Sequence, residues 1–187
     1  MSKISPLAFI DPEAKIGENC EIGPFCFIDK NVEIGDNNVL MNSVSVLYGA
    51  RIGNGNVIFP GAVISAVPQD LKFRGEDTTA EVGDNNKIRE NVTINRGTAA
   101  KGKTCVGSGN LLMESVHVAH DAFVGNDCII GNGTKLAGEI IIDDHAIISA
   151  NVLMHQFCRV GGYTMVGGGT RFSQDIPPYT ICAREPV

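Results

Sequence analysis

Apolar residues recur at every sixth position through nearly the whole chain. Stepping by six from Ile4 to Ile64 meets an apolar residue each time, and the same phase returns over 82–94 and 106–172. These stretches give 26 repeats, which chance does not produce in a chain that is 43% hydrophobic. A period of six matches neither the 3.6-residue period of a helix nor the two-residue alternation of an ordinary strand. It indicates one short strand and one corner, repeated.

Three such repeats would close one triangular coil, and successive coils would stack as parallel strands about 4.8 Å apart. The sequence therefore predicts an all-β fold, a parallel β-helix of about 8–9 coils. Known helices of this kind wind left-handed, against the usual hand of parallel crossovers, although periodicity alone does not determine the hand. Ile and Val together outnumber Leu by 37 to 8, and 22 Gly and 15 Asn suit corners that need positive φ.

The repeat is interrupted twice, by 12 additional residues and then by six. If these additions bulge outward, they form loops around residues 68–81 and 99–105, and every third repeat still stacks. The fifth residues of four stacked repeats then form one uninterrupted column of amides: Asn38, Asn56, Asn86 and Asn110. Because stacked Asn side chains hydrogen-bond from layer to layer, we expect a structural role for this column.

Both interruptions leave from a single column of repeats, those that start at Ile64, Ile94, Val118, Leu136, Met154 and Phe172. Three of the four His residues lie in this column or next to it. His120 and Gly138 are 18 residues apart, so they should hold equivalent places in adjacent coils. Loops and polar residues gathered on one edge of a rigid scaffold favour a functional site there. The alternative is that this edge has no function, because any loop must leave the coil somewhere and four His residues are ordinary for a chain of this length.

His120 is followed directly by Asp121. A neutral imidazole can take a proton from a hydroxyl group while a carboxylate orients the ring. The alternative is a surface His beside a solvated Asp. A third interpretation is a metal ion held by His117 and His120 from neighbouring subunits, but the sequence offers no clear third ligand except the distant His155. We therefore predict no metal and no cofactor.

The charge and the apolar content of the chain exclude some classes of partner. The formal net charge is −6 without any basic run, which disfavours nucleic acid as a partner. No apolar stretch approaches the ~20 residues of a membrane span, and the N-terminus shows no export signal. We expect a cytoplasmic protein without a membrane span, whose six Cys residues are reduced.

Five segments together resemble one family: PQDLKFRGE (68–76), NKIRENVTINRGT (86–98), GSGNLLMESVHVAHD (107–121), MHQFCRVGG (154–162) and SQDIPPYTICA (173–183). They are similar to the UDP-N-acetylglucosamine O-acyltransferases that begin lipid A synthesis, and the resemblance covers essentially the whole chain. It implies a left-handed β-helix homotrimer with sites between neighbouring subunits. In this family a 3-hydroxyacyl group passes from acyl carrier protein to the glucosamine 3-hydroxyl of UDP-N-acetylglucosamine.

The resemblance also implies residue roles. His120 matches the catalytic base, Asp121 its partner, and Gly138 the backbone N–H that stabilises the thioester oxyanion. Gly168 matches the position that limits the length of the acyl chain. The other substrate contacts match Asp70, Lys72, His117, His155 and Gln156.

The chain departs from the family in two ways. Asn95 and Glu139 stand where a family member has His, so roles that depend on those positions are not transferred. The family also continues into a C-terminal helical domain, whereas we expect residues 1–187 to form the β-helix domain alone.

Two other functions stay open at this point. One is the related N-acyltransferase of the same pathway, although its additional N-terminal domain has no room before the repeats that begin at Ile4. The other is a hexapeptide-repeat scaffold or metal-binding protein without transferase activity. The sequence does not decide between a 3-hydroxyl and a 3-amino acceptor sugar.

Overall fold

Short parallel strands build the entire structure, a computed structural model that describes residues 2–183. Each of the 26 predicted repeats contains a strand, and the strands form three parallel sheets, here numbered 1 to 3. The chain passes from sheet 1 to sheet 2 to sheet 3 in each coil. This is the parallel β-helix that the period of six predicts, with the left-handed winding that was expected from known examples.

Sheet 1 contains β1 (Lys3–Ile4), β4 (Glu21–Ile22), β7 (Val39–Leu40), β10 (Val57–Ile58), β13 (Lys87–Ile88), β16 (Leu111–Leu112), β19 (Ile129–Ile130), β22 (Ile147–Ile148), β25 (Met165–Val166) and β27 (Ile181–Cys182). Sheet 2 contains β2 (Phe9–Ile10), β5 (Phe27–Ile28), β8 (Ser45–Val46), β11 (Val63–Ala66), β14 (Thr93–Asn95), β17 (His117–Val118), β20 (Lys135–Leu136), β23 (Leu153–Met154) and β26 (Arg171–Phe172). Sheet 3 contains β3 (Lys15–Ile16), β6 (Glu33–Ile34), β9 (Ala50–Ile52), β12 (Thr79–Val82), β15 (Lys103–Val106), β18 (Phe123–Val124), β21 (Ile141–Ile142) and β24 (Arg159–Val160).

The first residue of each repeat points into the prism, and the residue before it points outward. Leu112, Val118 and Val124, one from each sheet of a single coil, are fully buried. Ile4, in the first coil, is 48% exposed because no coil covers it from below. The apolar period of six is therefore the inward-facing row of the three sheets.

Corners between strands take left-handed backbone conformations. Asn19, Asn31, Asn37 and Asn91, each the fourth residue of a repeat, have φ between 54° and 58°. Asn and Gly tolerate this region better than other residues, which explains why both are abundant in the chain.

Both additions to the repeat are extruded, as predicted, but each loop lies slightly earlier in the chain than expected. The first loop is 67–78 rather than 68–81, and the second is 96–102 rather than 99–105. The reason is that β12 and β15 pair with each other over four residues, from Thr79 opposite Lys103 to Val82 opposite Val106. The chain thus rejoins sheet 3 before the repeat resumes.

One strand was missed from the sequence. β27 pairs with β25, but Cys182 follows Val166 by 16 residues instead of 18. In the intervening turn, Pro177 and Pro178 come after Ile176, which bridges to Val160. The shorter turn breaks the period of six, so stepping by six does not find this strand.

The predicted Asn ladder is present. Asn38 Oδ1 accepts hydrogen bonds from the backbone N–H and the side-chain amide of Asn56, at 2.8 and 3.0 Å. Asn56 Oδ1 accepts the same two bonds from Asn86, at 2.9 and 3.0 Å, and Asn86 Oδ1 accepts one from the Asn110 N–H at 2.9 Å. These buried amides connect four coils across both extruded loops.

No helix among the residues that the structure describes is long and apolar enough to cross a lipid bilayer.

Replacement of Asn56 by Ala tests the ladder. The substitution leaves the Asn86 N–H and side-chain amide without their acceptor, and each buried polar group that loses its partner costs about 1–3 kcal/mol. We expect Asn56→Ala to lower the free energy of unfolding by about 2–4 kcal/mol. Urea denaturation at one fixed protein concentration measures the change. The exposed Asn132→Ala serves as the control, and equal effects of the two substitutions would contradict a structural ladder.

Candidate active site

The corner that follows the strands of sheet 2 carries the predicted catalytic residues. β17 leads into residues 119–122, and β20, one coil later, leads into residues 137–140. The pairing of His117 with Lys135 and of Val118 with Leu136 sets His120 and Gly138 at equivalent places in adjacent coils, as their spacing of 18 predicted.

His120 and Asp121 form a hydrogen-bonded pair at this corner. His120 Nδ1 lies 2.9 Å from Asp121 Oδ2, and the Asp121 carboxylate is fully buried. Asp121 has φ of 60°, the left-handed conformation of the other corners. This backbone turn is what directs the carboxylate of one residue back to the imidazole of the residue before it.

Thr98, from the extruded loop 96–102, holds the other side of the carboxylate. Its backbone N–H donates to Asp121 Oδ1 at 2.9 Å, and its hydroxyl donates to Asp121 Oδ2 at 2.6 Å. Burial alone would raise the pKa of Asp121, but the hydrogen bonds from Thr98 and His120 outweigh it and hold that pKa below its usual value. Asp121 is therefore an anion at neutral pH.

An ionised Asp121 determines which nitrogen of His120 carries the proton. A carboxylate only accepts hydrogen bonds, so Nδ1 of the neutral imidazole must be the donor. Nε2 is then left with its lone pair free. A base at Nε2, oriented through Nδ1, is the arrangement that general-base catalysis requires.

Gly138 lies directly against the face of this base. A Cβ atom at position 138 would lie 2.7 Å from His120 Cε1 and 2.8 Å from Nε2, so a side chain there would displace the imidazole. Among residues 2–183, the Gly138 N–H has no hydrogen-bond acceptor. A base and an unpaired backbone donor thus lie side by side.

His117 points outward from β17 at the edge of the same cleft. Thr93 Oγ1 lies 2.7 Å from its Nδ1. Burial lowers the pKa of His117, and the nearby Lys135 lowers it further. His117 is therefore neutral at pH 7 and can offer a hydrogen bond without adding charge.

A cleft of about 300 Å³ lies over these groups. Four predicted site residues line it: His117, His120, Gly138 and Gln156. A larger cleft of about 640 Å³, on the outer face of sheet 3, holds no predicted site residue. We take the smaller cleft as the candidate active site, because His120 and Gly138 line it and do not line the larger one.

The remaining predicted residues lie outside this cleft. His155 lines a neighbouring cleft that shares Leu153 and Met154 with the first. Asp70 and Lys72 lie in the 67–78 loop, where Asp70 Oδ1 accepts a hydrogen bond from the Lys72 N–H at 2.9 Å.

Gly168 lies at the opposite edge of sheet 2, between β25 and β26, beside Ala150. A ligand that touches both Gly168 and His120 must cross the outer face of sheet 2 or lie between two protomers.

Sequence reasoning missed three groups at the site. Lys135 could have been found, since it follows His117 by one coil of 18 residues. Gln69, which lines the cleft, and Thr98 come from the extruded loops, where no repeat fixes a position.

Glu139 and Asn95, the two residues that stand where a family member has His, have different surroundings. Lys101, in the second loop, places its Nζ 3.9 Å from Glu139 Oε2 and 3.4 Å from the Asp121 carbonyl oxygen. The buried Asn95 donates to the Val67 carbonyl at 2.9 Å and so ties down the base of the first loop.

Within the described part of the chain, no three His, Cys, Asp or Glu side chains form a group that could hold a metal ion.

Stacked coils of six-residue repeats define a β-helix of the hexapeptide-repeat class. No protein-family model matches the chain. Several solved structures, however, match nearly the whole chain. A UDP-N-acetylglucosamine acyltransferase from Bacteroides fragilis is 74% identical, with a TM-score of 0.96 over 98% of this chain and 72% of that one.

Two further structures agree. A UDP-N-acetylglucosamine O-acyltransferase from Moraxella catarrhalis is 42% identical, with a TM-score of 0.96 over 98% of this chain and 72% of that one. The UDP-N-acetylglucosamine acyltransferase of Arabidopsis is 33% identical, with a TM-score of 0.85 over the same shares of the two chains. The chain belongs to the UDP-N-acetylglucosamine acyltransferase family.

The lowered pKa of Asp121 predicts a specific dependence of stability on pH. A carboxyl group whose pKa is lower in the folded than in the unfolded protein stabilises the fold above the unfolded value of about 3.9. This contribution is lost as the pH falls through the folded pKa. The difference in unfolding free energy between the wild type and Asp121→Asn should therefore be largest above about pH 5 and shrink towards pH 2.5. Urea denaturation across this range measures it, and parallel curves would contradict the assignment.

Proposed function

We propose that this protein is a UDP-N-acetylglucosamine O-acyltransferase. It transfers a 3-hydroxyacyl group from acyl carrier protein to the 3-hydroxyl of the glucosamine unit, the first step of lipid A synthesis in the cytoplasm. Residues 2–183 form one continuous stack of coils, so the proposal assigns the transferase chemistry to a single β-helix domain.

One observation carries the proposal: the free Nε2 of His120 lies against Gly138, whose N–H has no acceptor within residues 2–183. Acyl transfer needs a base for the attacking hydroxyl and a donor for the oxyanion that forms on the thioester carbonyl. Both groups here belong to neighbouring coils of one rigid prism, which keeps their separation constant during the reaction.

The mechanism follows from this arrangement. His120 Nε2 takes the proton of the sugar 3-hydroxyl while that oxygen bonds to the thioester carbon. The carbonyl electron pair moves onto oxygen, where the Gly138 N–H stabilises the negative charge. When the carbonyl re-forms, the C–S bond breaks and the carrier thiolate takes the proton from His120. Asp121 stays ionised throughout and balances the charge of the transient imidazolium.

The substrate contacts of the proposal surround the cleft. Neutral His117 and exposed Gln156 can hydrogen-bond the sugar or the acyl group from the cleft walls. Lys72, exposed on the first loop beside Asp70, is free to meet a phosphate of the nucleotide. His155 completes the set from the adjoining cleft.

A homotrimer is the second part of the proposal. The outer face of sheet 1 carries an apolar stripe that grows more exposed towards the C-terminal coils: Leu111, Ile129, Ile147, Met165 and Ile181. A continuous apolar row on a rigid face is typical of a subunit interface.

Replacement of His120 by Ala tests the function. We expect kcat/KM for transfer from 3-hydroxyacyl carrier protein to UDP-N-acetylglucosamine to fall about 10²–10⁴-fold, because the base is lost. The melting temperature should change little, since the Asp121 carboxylate keeps both of its hydrogen bonds from Thr98. His145→Ala, at a different corner, is the matched control and should keep normal turnover. More than a tenth of wild-type kcat/KM in His120→Ala would refute the role.

Gly168→Met tests the role of this position in acyl-chain length. The positive φ of the triple-glycine run belongs to Gly169, at 71°, so position 168 can carry a side chain. Its Cβ would lie 3.3 Å from the Ala150 carbonyl oxygen, a contact that a small shift relieves.

Each acyl methylene that loses contact costs about 0.8 kcal/mol. The ratio of kcat/KM between long and short 3-hydroxyacyl donors should therefore fall about tenfold or more in Gly168→Met. A folded variant with an unchanged donor preference would remove Gly168 from the site.

A further inference from the structure

The second extruded loop, 96–102, brings one side chain to the catalytic pair. Thr98 is 7% exposed and donates both its N–H and its hydroxyl to the Asp121 carboxylate. Asp121 Oδ2 therefore accepts two hydrogen bonds, one from Thr98 and one from His120. The proposed mechanism uses only the second of these.

The loop holds Thr98 firmly in this place. The residue before it, Gly97, donates to the Thr79 carbonyl at 3.0 Å and accepts from the Thr78 hydroxyl at 2.6 Å. The Thr98 carbonyl accepts the Gly102 N–H at 2.7 Å, which closes the loop on itself. A Cβ at position 97 would lie 2.3 Å from the Lys103 nitrogen, so glycine is needed for this close approach.

The other polar groups around Asp121 do not hold its carboxylate. Thr104 Oγ1 accepts the backbone N–H of Asp121, and Lys101 reaches only its backbone carbonyl. The torsion that turns a carboxylate about its Cβ–Cγ bond is broad and costs little to change. Without the Thr98 hydroxyl, the carboxylate keeps the Thr98 N–H at Oδ1, but Oδ2 retains only the hydrogen bond to His120 and loses the second donor that fixes its direction.

We infer that Thr98 is a positioning residue, which fixes the Asp121 carboxylate so that His120 keeps its proton on Nδ1 and its lone pair on Nε2. This inference rests on the proposed function for its catalytic consequence, but the tautomer of His120 can be measured without any substrate. The additional residues of the second loop thus serve the active site rather than the coil.

The experiment compares three variants with the wild type by ¹⁵N NMR of histidine-labelled full-length protein. Thr98→Val removes the hydroxyl, and Thr98→Ser keeps it. Thr134→Val is the control, because Thr134 is a fully buried threonine whose hydroxyl donates to the Ser149 carbonyl at another corner. The His120 signals are assigned by their absence from His120→Ala.

We expect the wild type, Thr98→Ser and Thr134→Val to show His120 protonated at Nδ1. Thr98→Val should show a mixture of the two tautomers. Steady-state kinetics should then give a kcat about 10- to 100-fold lower in Thr98→Val, with the KM values of both substrates changed by less than about threefold.

Three outcomes would overturn the inference. They are a folded Thr98→Val with the wild-type tautomer and kcat, an equal tautomer change in Thr134→Val, or failure to fold of both Thr98→Val and a second variant without the hydroxyl, Thr98→Ala. If the wild type transfers no acyl group but the tautomer change is present, the proposed function fails and the positioning role stands.

Discussion

Coil-to-coil hydrogen bonding is the constraint on which the rest of this structure depends. A two-residue strand has no partner for its backbone groups except the strands directly above and below it, so each repeat must stack in register. Where the chain holds additional residues, it keeps this register and extrudes the additions. The pairing of β12 with β9 and β15 across both loops shows how strictly the register is kept.

The register also builds the proposed active site. His120 and Gly138 meet because one coil separates them, and no flexible segment lies between. The corner conformation with positive φ, which elsewhere only turns the chain, here folds the Asp121 carboxylate back onto the His120 ring. The proposed catalytic group is thus an ordinary corner of the repeat that contains His120 and Asp121, with Gly138 at the same corner one coil later.

Burial of a carboxylate is costly unless donors surround it. Asp121 is fully buried, yet it accepts bonds from the Thr98 N–H, the Thr98 hydroxyl and His120 Nδ1. Two of these three donors come from an extruded loop. The prism therefore supplies the proposed base and oxyanion donor, while the second loop supplies the two Thr98 donors that hold Asp121.

Most of the fold could be predicted from the sequence, because an inward-facing residue every six positions leaves one way to bury the apolar row. All 26 repeats, the column containing His120 and the Asn38–Asn110 ladder follow from that period. The hand of the winding does not, and it was expected from known examples. The last strand, β27, could not be predicted from the period, because Pro177 and Pro178 lie in a turn that shortens the repeat.

The candidate site likewise contains residues that the sequence could place and residues that it could not. The spacing of 18 residues sufficed to bring His120 and Gly138 together, because both belong to the periodic scaffold. Thr98 and Gln69 could be placed only by the tertiary structure, since an extruded loop has no period and its course is decided by contacts with distant coils. The ionisation of Asp121 likewise depends on donors that lie far from it in the chain, which no local pattern reveals.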